Sequence, residues 1–147
     1  MTELLTLESI QVQAKVTSKE EAIRKAGELL LKVGCVVPEY IDSMLDREQT
    51  MSTYVGNGVS IPHGEFKSLG LVNRTGISVL QVPEGVEWQP GEQAYLIVGI
   101  AATGDEHIKV LQNLALVVED LATAELLAQT DDPGLILEKL NQPISED

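Results

Sequence analysis

The sequence predicts an α/β protein in which a mixed β-sheet carries helices on both faces. Two segments with helical periodicity come first, β-type runs occupy the middle of the chain, and three helical segments close it. The run 95–101 is nearly all apolar, which is typical of a central strand covered on both faces. Because strands and helices do not alternate regularly, the sheet is expected to be mixed and not purely parallel.

The first helix has clear signals at both ends. Ser18 followed by Glu21 matches a capping box, and apolar residues recur at helical spacing between 22 and 33. Gly34 can adopt the left-handed conformation that ends many helices. The helix is therefore predicted over 19–33.

A second helix is predicted from Pro38 to about Arg47. Proline suits a first turn because its missing N–H would have no partner there. The residues expected to face inward are Tyr40, Ile41, Met44 and Leu45. Arg47 is thus expected at the exit of this helix.

The β-type segments begin after this helix. Runs 52–55 and 59–61 are separated by Gly56-Asn57-Gly58, three residues that tolerate positive φ. The two runs are therefore predicted to form a hairpin or a sharp re-entry of the chain. Residues 75–82 alternate like a strand with one buried face, and 95–101 supply the central strand.

Three helical segments end the chain. They are predicted over 105–121, over 123–129 and from Pro133 to about Asn141, with Asp132 as the N-cap of the last one.

Composition and charge limit the class of function. The chain has 147 residues, 44% hydrophobic and 22% charged, so one domain is expected over 1–147, with a short disordered tail at about 142–147. A net charge of −13 would repel a phosphate backbone, which argues against nucleic acid as a partner. No apolar stretch approaches the ~20 residues of a membrane-spanning helix, and the N-terminus does not resemble a secretory signal. We therefore expect a cytoplasmic protein without membrane insertion.

His63 is the first candidate for reactive chemistry. It follows the run 59–61 and Pro62, which cannot donate to a strand ladder, so its imidazole is expected at the margin of a sheet. Gly64 has no side chain and would let a second protein approach closely. On position alone, an ordinary loop histidine explains His63 equally well.

His107 is the second candidate. It heads an apolar stripe on the helix predicted over 105–121, whose other members are Leu111, Leu114, Val118 and Leu121. The unpaired N–H groups at a helix start attract anions, whereas a satisfied core histidine is the alternative interpretation. Together with Arg47, the two histidines suggest an anion site.

Other kinds of chemistry have little support in the sequence. No pair of histidines has the spacing of a zinc site, so no metal is expected. The Gly-x-Ser-x-Gly elbow of a serine hydrolase is missing. The chain also lacks the phosphate-binding loop of nucleotide hydrolases, so a phosphoryl donor would have to arrive already activated. No cofactor is expected.

Several segments together resemble a known family. They are 38–48 with Asp-Arg-Glu at its end, 52–64 ending in Gly-Val-Ser-Ile-Pro-His-Gly, 95–102, and Glu-His-Ile at 106–108. In these residues the chain resembles the enzyme IIA domains of the mannitol/fructose class of the sugar phosphotransferase system, over about 6–140. Within the class it is most similar to the mannitol-specific branch.

The resemblance implies a phosphocarrier. In that family the histidine of the Pro-His-Gly segment, here His63, accepts a phosphoryl group from phospho-HPr on Nε2 and passes it to a IIB component, which is linked to a membrane IIC permease. The second active-site histidine falls on His107 and the active-site arginine on Arg47, both as stabilisers of the phosphoryl group. Glu65 matches no assigned role.

Three other functions stay open. One is a regulatory phosphoacceptor of the nitrogen-related IIA type, the second is an unrelated histidine hydrolase of phosphoesters, and the third is a non-catalytic interaction module. Under the leading interpretation, a monomer is expected because two partners must reach His63 in turn. An apolar patch of Val59, Ile61 and residues near Leu69, ringed by acidic groups, is expected to receive them.

Overall fold

The computed structural model describes residues 5–65, 70–102 and 106–140, with the backbone alone for 106–108, 111 and 113. In chain order, the strands are β1 (Ile10–Gln11), β2 (Tyr54–Gly56), β3 (Val59–Ser60), β4 (Gly76–Gln89) and β5 (Glu92–Ala101). They form one sheet in the order β1-β4-β5-β3-β2. The pairs β1/β4 and β3/β5 are parallel, whereas β2/β3 and β4/β5 are antiparallel. The prediction of a mixed sheet is confirmed.

Helices cover both faces of this sheet. They are α1 (Lys19–Lys32), α2 (Glu39–Thr50), α3 (Glu106–Glu119), α4 (Leu121–Gln129) and α5 (Pro133–Leu140). Successive strand residues point to opposite faces, so Leu96 and Val98 join the apolar cluster under α3, α4 and α5, while Ile97 joins the cluster under α1 and α2. The predicted helices on both faces are confirmed.

Local signals place most element boundaries within two residues. Ser18 Oγ accepts from the N–H of Glu21, 3.1 Å away, at the start of α1, and Gly34 follows the end of α1 with φ +84°. Gly56, Asn57 and Gly58 all have positive φ in the β2–β3 turn, as the predicted hairpin requires. The tail at 142–147 and Asn141 lie outside the described residues.

The strands β4 and β1 differ most from the sequence prediction. The strand predicted over 75–82 continues to Gln89, because an irregular register between Gln81 and Val86 accommodates Pro83 and the left-handed Gly85, residues that normally interrupt a strand. The short strand β1 was not predicted, since two residues are too few to show a period of two.

Helix α2 also extends further than predicted. It begins at Glu39, with Pro38 as its N-cap, and ends at Thr50, so Arg47 lies in its last turn and not at its exit. Helix α3 ends at Glu119, two residues earlier than predicted. The side-chain amide of Asn57 donates to the carbonyls of Val118 and Glu119, which caps α3 from the hairpin turn.

Candidate functional site

His63 lies where the chain leaves the sheet after β3. It forms an isolated parallel bridge with Ile100 near the end of β5, and the N–H of Ile100 donates to the carbonyl of Pro62 at 3.0 Å. The side chain is 7% exposed. The prediction that His63 lies at a sheet margin is therefore confirmed. Its ring is more deeply buried than the ring of an ordinary loop histidine.

A hydrogen bond to the preceding backbone orients the His63 ring. Its Nδ1 atom lies 2.9 Å from the carbonyl oxygen of Ile61. A carbonyl oxygen only accepts, so Nδ1 carries the hydrogen and donates. In the neutral imidazole the lone pair is then on Nε2.

Tyr40 connects the segment after His63 to β5. Its hydroxyl accepts from the N–H of Gly64 at 2.8 Å and donates to the carbonyl of Ile100 at 2.8 Å. The phenol is 1% exposed, and burial raises the pKa of Tyr40 to about 12, so the hydroxyl keeps its proton at neutral pH. The sequence predicted Tyr40 only as a core residue. Its signal was present, since a buried tyrosine hydroxyl requires a partner.

The role expected for Gly64 differs from the one the structure supports. A Cβ at this position would lie 2.5 Å from Cε1 and 2.8 Å from Cζ of Tyr40, and 3.0 Å from Oγ of Ser43. The missing side chain therefore makes room for the protein's own helix α2, and the inference that it admits a second protein is not needed to explain the glycine.

One face of α2 supports the His63 segment. One turn after Tyr40, Ser43 Oγ accepts from the N–H of Glu65 at 2.9 Å. Arg47 follows one turn later, about 20° from Tyr40 around the helix axis and roughly 10 Å along it. The same helix face thus carries both groups that hold the His63 segment and the arginine that the sequence singled out.

Arg47 is partly buried in the last turn of α2. Its Nη1 donates to the carbonyl of Met51 at 2.7 Å, just beyond the end of the helix. This contact places the guanidinium at the C-terminal end of α2, next to the chain that leads into β2.

The residue next to Arg47 is fixed by a buried polar cluster. The Glu48 carboxylate accepts from the N–H and hydroxyl of Thr53, at 3.0 and 2.6 Å, and from Nε1 of Trp88 at 2.9 Å. Lys19 Nζ lies 3.6 Å from the carboxylate and 5.7 Å from the centre of the Trp88 ring. The cluster ties the last turn of α2 to α1, to β4 and to the entry of β2. Sequence reasoning gave Glu48 no separate role.

The backbone places His107 at the same end of the sheet as His63. It lies in the first turn of α3. The first residue of α3, Glu106, follows Ala102 by four positions, so the Cα atoms of these two residues are at most roughly 14 Å apart. Ala102 in turn follows Ile100 by two residues, and Ile100 bridges His63. The side chain of His107 lies outside the described residues, so its contact with a phosphoryl group stays a prediction.

The apolar patch expected around His63 was predicted wrongly for two of its members. Val59 is 0% exposed and Ile61 is 7% exposed, and both belong to the core under α3, α4 and α5. The reason is that β3 lies between β5 and β2 and is covered by helices, which local sequence does not reveal. Leu69 lies outside the described residues. On the chain that follows Arg47, Met51 and Val55 are exposed.

Metal clusters and membrane-spanning helices are both absent from residues 5–65, 70–102 and the described part of 106–140. These residues contain no group of three His, Cys, Asp or Glu side chains arranged to hold a metal ion. They also contain no helix with the length and apolar character needed to cross a membrane.

The segment around His63 and the rest of the fold fall within the match to one family model. Residues 3–142 match the family model described as phosphoenolpyruvate-dependent sugar phosphotransferase system, EIIA 2. The chain belongs to this family, which confirms the resemblance stated from its sequence motifs.

Relatives of this chain include mannitol-specific components and longer proteins of other names. The chain is 42% identical over 141 residues to the mannitol-specific phosphotransferase enzyme IIA component of Enterococcus faecalis, covering 94% of this chain and 97% of that protein. It is 45% identical over 136 residues to a multiphosphoryl transfer protein of Xanthomonas campestris, covering 92% of this chain but only 16% of that longer protein.

A solved structure matches the fold. One chain of the complex of enzyme IIA mannitol and phosphorylated enzyme IIB mannitol from Escherichia coli superimposes on this chain with a TM-score of 0.88 at 41% identity, covering 92% of this chain and 96% of the matched one. The α/β fold of the mannitol IIA type is therefore established for this chain.

Proposed function

We propose that this chain is a phosphocarrier of the sugar phosphotransferase system. His63 accepts a phosphoryl group from phospho-HPr and passes it to a IIB component, linked to a membrane IIC permease, for mannitol uptake and phosphorylation. The observation that carries the proposal is the Nδ1 hydrogen bond from His63 to Ile61, which leaves the lone pair on Nε2 at a sheet margin. Similarity to a IIA chain whose structure was solved with phosphorylated IIB supports a IIB component as the partner that receives the phosphoryl group from this chain.

The proposed reaction moves one phosphoryl group between two imidazoles. The Nε2 lone pair of His63 forms a bond to phosphorus while the phosphorus–nitrogen bond of the donor phosphohistidine breaks, and that electron pair returns to the donor ring. The His63 ring gains positive charge as its bond forms. The carbonyl of Ile61, which accepts from Nδ1–H, stabilises that charge without a proton transfer.

Positive groups and N–H donors must hold the phosphoryl oxygens during transfer. Phosphoryl transfer spreads negative charge over three equatorial oxygens, so the protein contributes mainly position and electrostatic stabilisation. We assign this role to the Arg47 guanidinium and to His107 with the first N–H groups of α3. The donor is already activated as a phosphohistidine, so the proposed transfer uses no nucleotide and no cofactor.

The proposed exchange of partners constrains the complexes. One histidine serves a donor and an acceptor in turn, so each complex must be short-lived and its interface at or below roughly 1,200 Å². We propose that the chain works as a monomer, as one domain over 1–147, in the cytoplasm where its donor would act.

The test is transfer of radiolabel from phospho-HPr to the purified chain, followed by addition of a mannitol-type IIB. We expect the label on the intact chain, its loss from His63→Ala, and onward transfer to IIB. The fold of His63→Ala is checked by its unfolding midpoint. Retained labelling of a folded His63→Ala would refute the acceptor assignment, and labelling without transfer to IIB would favour the regulatory type.

A further inference from the structure

Two tyrosine hydroxyls flank the short strand β3 in the same way. At its start, the Tyr54 hydroxyl accepts from the N–H of Gly58 at 3.1 Å and donates to the carbonyl of Gln93 at 3.2 Å. Beyond its end, the Tyr40 hydroxyl makes the equivalent pair of bonds to Gly64 and Ile100. Each phenol therefore joins a glycine N–H on the β3 side to a carbonyl of β5.

The Tyr40 hydroxyl stands where a ladder hydrogen bond would otherwise form. In a parallel bridge between His63 and Ile100, the N–H of Ile100 donates to Pro62 and the N–H of Gly64 donates to Ile100. The first of these bonds is present at 3.0 Å. For the second, the phenol is inserted between the two groups, and two bonds of 2.8 Å hold them apart. With a bent arrangement at the oxygen, their separation is roughly 4 to 5 Å, compared with about 2.9 Å in a direct bond.

The packing around this relay is tight. The ring of Tyr40 fills the space that a Gly64 side chain would need, and the phenol is almost completely buried. The Tyr40 hydroxyl is thus enclosed between α2, the end of β5 and the segment that follows His63. Its geometry is set by the protein interior and not by solvent.

We propose that Tyr40 is a positioning residue for His63, because its hydroxyl sets the distance between the His63–Gly64 segment and β5. This inference rests on the proposed function of His63 as the phosphoryl acceptor. The Ile61 carbonyl orients the ring within its own segment, whereas Tyr40 places the whole segment relative to the sheet. Correct placement matters because a displacement of about 1 Å can reduce a reaction rate on the order of 10²-fold.

The test compares Tyr40→Phe with Tyr54→Phe. Both variants remove one hydroxyl that bridges a glycine N–H and a β5 carbonyl, but only the first is next to His63. In Tyr40→Phe, Gly64 and Ile100 either pair directly, drawing the segment toward β5, or lose their partners. We expect the single-turnover transfer rate at saturating phospho-HPr to fall on the order of 10-fold or more, with the half-saturating concentration unchanged. Tyr54→Phe should transfer at the rate of the unmodified chain.

A second readout does not depend on any partner. Nitrogen NMR of histidine-labelled protein reports which ring nitrogen of His63 carries the hydrogen. We expect the Nδ1–H form in all three proteins, because Ile61 belongs to the same segment as His63. The His63 ring-nitrogen resonances should shift in Tyr40→Phe, where the segment is displaced relative to β5, and stay in place in Tyr54→Phe. This measurement separates the two proposals, since it applies even if phospho-HPr proves not to be the donor.

Several outcomes would overturn the inference. It fails if Tyr40→Phe keeps both the transfer rate and the His63 ring-nitrogen resonances of the unmodified chain. It also fails if Tyr54→Phe shows equal changes, which would indicate a general effect on the sheet. If Tyr40→Phe does not fold, Ser43→Ala replaces it, because Ser43 holds the next N–H of the same segment. A smaller loss in the same direction is expected there, and an unchanged rate with unchanged His63 ring-nitrogen resonances would refute the positioning role of this helix face.

Discussion

Replacing Gly64 by alanine tests the packing that locates His63. The new Cβ would lie 2.5 and 2.8 Å from two ring carbons of Tyr40 and 3.0 Å from Ser43 Oγ. Carbon atoms pack best at about 3.5 to 4.0 Å, so either α2 or the His63 segment must move by roughly 1 Å. Overpacking of this kind costs about 1–3 kcal/mol of unfolding free energy.

The expected effect on transfer is separable from the effect on stability. A shift of the His63 segment should lower the transfer rate at saturating phospho-HPr on the order of 10- to 100-fold. If Gly64 instead served to admit a partner, alanine would raise the half-saturating concentration of phospho-HPr and leave the saturated rate unchanged. Stopped-flow transfer over a range of donor concentrations distinguishes the two.

Gly70→Ala is the matched control for this substitution. A Cβ at Gly70 would have no atom of the described residues within 4 Å, its two chain neighbours aside, so neither stability nor transfer should change appreciably. Urea unfolding of both variants gives the free energies. A Gly64→Ala variant with unchanged stability and an unchanged saturated rate would refute the packing argument.

Three further predictions concern charge. Replacing Arg47 or His107 by alanine should slow transfer by a factor on the order of 10²–10³ without abolishing labelling, and a normal rate would leave that residue only a packing role. Glu48→Ala leaves the buried donors of Trp88 and Thr53 without an acceptor, which should lower the free energy of unfolding in urea by about 1–3 kcal/mol for each donor. Glu48→Gln should lose less stability, and an alanine variant as stable as the unmodified chain would contradict this account. The chain has a net charge of −13, and its acidic groups are expected to attract a basic partner surface, an attraction that salt screens. Transfer at subsaturating phospho-HPr should therefore fall several-fold from low to high ionic strength, while the saturated rate barely changes. A salt-independent rate would show that the charge does not steer association.

The mixed sheet and its helical layers were accessible from sequence because their signals are local. A capping serine, a terminating glycine and a turn of residues that tolerate positive φ each act within a few positions of the chain. The same holds for His63, since the preceding proline already marks a strand end. Arg47 and His107 were found at a predicted helix exit and at a helix start, respectively, and the family resemblance then matched both.

Errors and omissions arose where distant segments meet. Val59 and Ile61 were assigned to a surface patch, but β3 lies inside the sheet and both side chains are buried. Strand β4 was cut short at 82, because pairing with β5 carries it past a proline and a glycine that would end an isolated strand. Neither feature can be read from a window of a few residues.

The sequence by itself determined the order and type of most elements, the β2–β3 turn and the candidate histidine at the end of a strand. These follow from backbone preferences and hydrophobic period, which depend on residues close together in the chain. Only the tertiary structure decided how His63 is held, because the groups involved come from three separate segments. Tyr40 lies 24 residues before Gly64 and 60 before Ile100. A buried hydroxyl must find its partners through folding, and its sequence neighbours do not specify them.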